Sequence, residues 1–213
     1  MDVLAATTFT LTPSVYVPFA IGFFGLGVGY FVWGGQLFFG YPAPGSDEGV
    51  RHMERSIGLW GIWMPGFMQF IAGITTLIGL TWFNVFGTGS AATHTAAYAA
   101  ALAFTAYGVH WFSMGMRRYI QGDVMPDGWM AIPFFVISCL GIYIFAWWKD
   151  WPVEIVFVLL ALIYLSETLV RFGIPIPLGA RMVALWQLLN GVWLMYMTWA
   201  VTIDLSTTQH LPI

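Results

Sequence analysis

The sequence has one cysteine, Cys139, in 213 residues. A lone thiol closes no intrachain disulfide and completes no cysteine-based redox or metal motif, which removes both from the candidate functions. Charge is nearly as scarce: seven Lys and Arg against ten Asp and Glu, 8% of the residues, for a formal net charge of -3. So sparse and acidic a balance leaves no basic stripe for a nucleic-acid backbone. No HExxH helix, paired carboxylates on one face, nucleophile elbow, Walker loop or dinucleotide glycine fingerprint occurs, so neither an intramembrane enzyme nor an ATP-driven pump is supported. The chain is expected to be no enzyme and to need no cofactor or metal. A haem-binding bundle needs paired histidines, and of the four present only His110 lies well inside a long apolar run, His94 standing at the start of the third. The first 14 residues hold Asp2 and no Lys or Arg, so a cleaved signal peptide is not expected.

What the sequence has in abundance is apolar length. Hydrophobic residues make up 59% of it and the mean hydropathy is +0.78. A bilayer core of roughly 30 Å takes about 20 apolar residues per helix, and six stretches meet that need: Val15 to Gly40, Ile57 to Phe83, Ala91 to Met116, Gly128 to Trp148, Pro152 to Phe172 and Ala180 to Asp204. The expectation is an all-α integral membrane protein, a single six-helix transmembrane domain lying multi-pass in a cell membrane, most economically a prokaryotic plasma membrane. Breaks fall at Tyr41 to Gly45, at Gly87-Thr88-Gly89-Ser90, from Arg117 to Asp127, at Lys149-Asp150 and from Gly173 to Gly179. Arg51, Arg55, Arg117, Arg118, Arg171 and Arg181 flank odd-numbered loops, and only Lys149 lies on the other side. The positive-inside rule then predicts cytoplasmic odd loops and both termini outside.

The first two spans are rich in glycine, at Gly22, Gly25, Gly27, Gly29, Gly34 and Gly35, then Gly58, Gly61, Gly66 and Gly73. Small residues let helix backbones approach closely where lipid supplies no hydrophobic drive. They also suit a thin wall beside a pore. Polar residues within spans are few and costly in hydrocarbon. Gln69 is suited to meet a passing solute or to hydrogen-bond a neighbouring helix. Tyr107, His110 and Trp111 share one face at three- and four-residue spacing, either lining a pore or packing. Leu160, Tyr164, Glu167 and Arg171 share a face of the fifth span, with Glu167 and Arg171 spaced for a helical ion pair. Asn190 offers an uncharged amide to a pore or to a partner helix. Trp147, Trp148, Trp151 and Trp199 sit near span ends, where aromatic belts belong.

Two segments resemble a known family. Gly61-Ile62-Trp63-Met64-Pro65-Gly66-Phe67-Met68-Gln69-Phe70-Ile71-Ala72-Gly73 and Ala103-Phe104-Thr105-Ala106-Tyr107-Gly108-Val109-His110-Trp111 are similar to the second- and third-helix motifs of the acetate uptake transporters, the succinate-acetate permeases. The likeness continues more loosely through Val156 to Gly173 and Val183 to Ala200, about two thirds of the chain in all. It implies a symmetric hexamer of six-helix subunits, each with its own pore for small monocarboxylates and dicarboxylates, and a constriction formed by a phenylalanine, a tyrosine and a leucine. By motif position these fall at Ile21, Tyr107 and Leu160, with Gln69, His110, Trp111, Tyr164 and Asn190 as candidate pore-lining residues. The family's Asn-Pro-Ala-Pro-Leu-Gly-Leu signature is replaced by Thr12-Pro13-Ser14-Val15-Tyr16-Val17-Pro18, and an acidic residue after the second motif by Thr76. That family also keeps its termini in the cytoplasm, against the arginine count.

A second resemblance, to urea and short-chain amide channels, is carried by Asp127-Gly128-Trp129, Glu167 and Pro177-Leu178-Gly179. It implies the same hexameric six-helix plan with termini outside. The paired pore tryptophans of those channels fall here at Phe157 and Ala161, and their last-helix glutamate at Asn190. The expected function is a channel or transporter for a small organic acid such as acetate or succinate. The alternatives are a urea or amide channel, and a non-transporting structural subunit of a membrane assembly.

Overall fold

The computed structural model describes residues 17–40, 45–84 and 91–202, apart from the side chains of 91–94. The altered signature motif up to Tyr16, the breaks at 41–44 and 87–90, and the end of the last expected span lie outside the described residues. Within them the chain is entirely helical: α1 Val17–Phe39, α2 Asp47–Phe83, α3 Ala91–Ile120, α4 Met125–Trp147, α5 Trp151–Arg171 and α6 Ala180–Thr202. Four of these, α1, α2, α4 and α5, are both long and apolar enough to cross a membrane. Length is no obstacle for the other two, at 30 residues for α3 and 23 for α6. They are less apolar because α3 is built largely of alanine with Thr105, Tyr107 and His110 among it, and α6 carries Gln187 and Asn190.

Helix boundaries depart from the apolar runs where caps override hydropathy. The second helix starts ten residues before Ile57, because the Ser46 hydroxyl accepts from the Gly49 N–H at 3.1 Å and Asp47 and Glu48 sit in the first turn. That extension keeps Arg51, His52 and Arg55 exposed and buries only Ile57, Gly58 and Gly61. At about 1.5 Å per residue α2 is about 55 Å long, well over a hydrocarbon core. The third helix likewise runs past Met116 to Ile120, since arginines favour a helix C-terminus. The fourth starts at Met125 with Pro126 in its first turn. Inside α2, Pro65 removes a backbone donor and crowds the carbonyl one turn back. The chain widens there into a π-helical turn, Ile62–Phe67.

The helices form a ring in chain order, each packed on its sequence neighbours and α6 returning to α1, with the α3–α4 seam the thinnest. Glycines set the tightest approaches. Gly25 lies against the Met64 carbonyl, Gly29 against Pro65, and Gly58 and Gly73 against the α3 backbone, so these glycines act as packing residues, while Gly35 faces open space. Alternation along the ring gathers Arg51, Arg55, Arg117, Arg118, Arg171 and Arg181 at one end and leaves Lys149 at the other. At that lysine end Trp82, Trp147 and Trp199 stand exposed near helix termini, as belt residues do.

Candidate functional site

Each helix turns one face inward, and these faces stack in layers along the ring axis. On α1 the inward residues are Phe19, Phe23, Leu26, Tyr30 and Trp33, at alternating four- and three-residue steps. On α3 they are Phe104, Tyr107, Trp111 and Met114, and on α5 Phe157, Leu160, Tyr164 and Glu167. Toward the lysine end, Leu26, Gln69, Tyr107 and Leu160 enclose a small apolar cavity of about 30 Å³, with Phe23 and Phe157 at its rim. Toward the arginine end a second cavity, of about 240 Å³, is bounded by Trp33, Arg117, Arg118, Glu167, Arg171 and Gln187 among others.

Between the cavities the axis is filled by aromatic rings. Tyr107 stacks on Tyr164 at 5.9 Å between centroids, and Phe134 lies 5.0 Å from the first and 5.4 Å from the second. His110 sits 4.3 Å from Phe134 and 5.3 Å from Tyr164. Trp111 meets Tyr30 at 5.6 Å and Trp33 at 4.8 Å, and the Arg118 guanidinium covers the outer face of Trp33 at 4.6 Å. The Tyr107 hydroxyl lies 2.9 Å from Ser138 Oγ.

Of the residues singled out in the sequence, Tyr107, Leu160 and Gln69 meet at the smaller cavity, and Tyr164, His110 and Trp111 form the layer beneath. Asn190 is fully buried on α6. Ile21 is not in this group. It is 46% exposed, because it lies two residues, about 200° around the helix, from the inward Phe23. Phe23 and Leu26 are the α1 residues that line the smaller cavity. Glu167 and Arg171 pair as their spacing implies, at 3.3 Å. Sequence reasoning missed Tyr30, Phe134 and Ser138. Ser138 was findable as the one hydroxyl in the middle of the fourth apolar run.

Comparison with protein-family models, curated proteins and solved structures finds no match for this chain.

The chemistry of the axis is set by polar atoms that are buried and lack a partner. They are the Tyr30 hydroxyl, Gln69 Oε1, both ring nitrogens of His110, Trp111 Nε1, Gln187 Oε1 and both amide atoms of Asn190. The Tyr30 and Tyr164 hydroxyls approach each other without the geometry of a full hydrogen bond. A buried orphan of this kind costs about 1–3 kcal/mol, so the set is expensive unless something transient supplies partners. The charges at the arginine end, in contrast, are matched. Arg117 pairs with Asp127 at 2.6 Å, and Arg171 lies 3.3 Å from Glu167 and 3.9 Å from Asp127. Arg118 holds Glu54 at 2.9 Å and the Gln36 amide oxygen at 2.7 Å. Three guanidiniums meet three carboxylates, so this end carries little net field. Among the described residues no group of three His, Cys, Asp or Glu side chains is placed to hold a metal ion.

Proposed function

We propose that the chain is a membrane channel or transporter whose conduction path is the ring axis, and that it passes a small organic acid of the acetate class. The observation that carries this reading is the file of buried, unpartnered polar atoms running between the two cavities. A solute with one donor and one acceptor would satisfy these groups in turn, while the apolar neck makes it shed water. Matched charges at the arginine end offer no attraction for a free anion, so the acid crosses in its neutral, protonated form. The small upper cavity favours acetate over succinate.

An amide is the closest neutral isostere of a protonated acid. The same geometry therefore supports a second reading, a urea or short-chain amide channel, with Glu167 at the inner cavity. In either case α3 and α6 also cross the bilayer, and the subunits assemble as a symmetric homo-oligomer, a hexamer in both resembled families. Flux into proteoliposomes compared for acetate, succinate, urea and acetamide separates the two. Acid uptake that rises as pH falls, with urea at background, supports the first reading; urea and acetamide uptake indifferent to pH supports the second.

By the positive-inside rule the arginine end lies in the cytoplasm. In a Cys139-free protein, a cysteine at the exposed Ser46 should resist an impermeant thiol reagent in intact cells and one at Lys149 should react. The reverse labelling pattern would invert the orientation.

A further inference from the structure

The three carboxylates of the arginine end are not held equally. Asp127 takes the Arg117 guanidinium at 2.6 Å, and Glu54 takes two contacts from Arg118, one of them at 2.9 Å. Glu167 makes a single hydrogen bond among the described residues, from Arg171 at 3.3 Å, longer than the about 2.7–2.9 Å of a strong charge-assisted bond. This loosest pair also lines the 240 Å³ cavity, together with Gln187, whose Oε1 is buried and unpartnered. Tyr30 on α1, Arg117 on α3, Asp127 on α4 and Tyr164 on α5 are the other ionisable groups around Glu167. The two arginines and two carboxylates of this group cancel, so a further anion unbalances it.

Two carboxylates beside one guanidinium cannot both stay ionised in so buried a place, and one of them must keep a proton. We infer that Arg171 is a carboxylate-binding residue and Glu167 the counter-ion it exchanges: an arriving acid gives its proton to Glu167 and takes Glu167's place on the guanidinium. The O–H bond of the acid breaks, an O–H bond forms on the Glu167 carboxylate, and the cavity gains no charge. When Glu167 returns that proton to water at the arginine end it takes Arg171 back, and the carboxylate leaves. Asp127 and Glu54 are held too closely to be the group displaced. The inference rests on the proposed conduction path and adds to it a binding site for short carboxylates, whose proton travels with them. Urea and amides have no proton to give and leave the pair closed.

Calorimetric titration of the purified protein with sodium acetate near neutral pH, in two buffers of different ionisation enthalpy, counts the protons taken up. About one proton per acetate is expected, with an affinity that falls about tenfold for each unit rise in pH. Glu167→Gln has the shape of the protonated residue and leaves Arg171 free. It should bind acetate with no proton uptake and with an affinity that no longer falls with pH. If that variant does not fold, the C=O band of a protonated glutamate, recognised by its displacement on 13C-glutamate labelling, should appear in the infrared difference spectrum of the wild-type protein when acetate is added.

Acetate bound without a proton, no measurable acetate binding, proton uptake that persists in Glu167→Gln, or no glutamate band overturns the inference. Acetate flux in proteoliposomes separates it from the conduction path. Proton-linked binding in a protein that carries no acetate keeps the site and ends the path, whereas flux without proton-linked binding keeps the path and ends the site.

Discussion

Gly108→Ala should leave almost no folded protein. A Cβ at this position of α3 would stand 2.5 Å from the backbone nitrogen of Phe70, 2.8 Å from its Cα and 2.9 Å from the Gly66 carbonyl oxygen. All three are backbone atoms of α2, so no rotamer change relieves the clash and the two helices must separate. One turn pair along the same seam, Gly115 already lies against Gly58, where an added Cβ would meet the Gly58 carbonyl at 2.7 Å and the Ile62 nitrogen at 2.8 Å. Overpacking of this kind costs about 3 kcal/mol or more. It also pushes Tyr107, His110 and Trp111 off the axis together. Gly35→Ala is the control, because nothing lies within 4 Å of its would-be Cβ, and a helix-interior alanine there is worth about 0.5–1 kcal/mol over glycine. Yield of monodisperse protein and melting temperature in detergent check both. A Gly108→Ala protein that melts with the wild type would mean that the α2–α3 seam is looser than drawn.

Tyr107→Ala should widen the path the most. Tyr107 closes the upper cavity against Leu160, stacks on Tyr164 and anchors the α3–α4 seam through Ser138. Truncation joins the small cavity to the space above Tyr164. The variant is expected to admit larger solutes and to lose discrimination among small ones, at a stability cost of about 3–5 kcal/mol for a large aromatic removed from a packed interior. Leu160→Ala removes only apolar bulk, at about 2–5 kcal/mol, and should raise flux with a milder loss of selectivity. Size-dependent uptake at matched reconstitution levels decides it. Unchanged permeability and selectivity in both variants would make these side chains helix packing and nothing more.

Much of this architecture was legible in the residues, and the exceptions have physical causes. Hydropathy marks helix interiors, so the six long runs located the six helices, but hydropathy does not see caps. Ser46 with Asp47 and Glu48 starts α2 far ahead of its apolar stretch, and Arg117 with Arg118 extends α3 past its own. Three- and four-residue spacing placed Tyr107, His110 and Trp111 on one face and brought Leu160, Tyr164 and Glu167 to meet them, since a helix imposes that geometry locally.

Spacing says nothing about which face turns inward, and Ile21 shows the consequence. Motif position alone pointed it at the constriction, while the alternation of Phe19, Phe23, Leu26 and Tyr30 turns it outward. Cross-helix partners such as Ser138 for Tyr107, or Phe134 for His110, lie 31 and 24 positions away along the chain (138 − 107 = 31; 134 − 110 = 24) and leave no local signature. The same holds for Asp127, which reaches back across the seam to Arg117.

The account stands or falls on whether the axis conducts, and Asn190 gives the most direct test. Both of its amide atoms are buried without partners at a position with no exposed surface. For packing alone, leucine, which has the same branched skeleton of heavy atoms, should serve better, because it removes two orphaned groups. For conduction the amide is a station on the path. The measurement is acetate and acetamide flux through proteoliposomes containing only this chain, beside Asn190→Leu reconstituted at the same level. The predicted result is flux above protein-free vesicles for the wild type and a fall to background for Asn190→Leu, even though the variant melts at an equal or higher temperature. Wild-type flux no greater than that of protein-free vesicles would contradict the account.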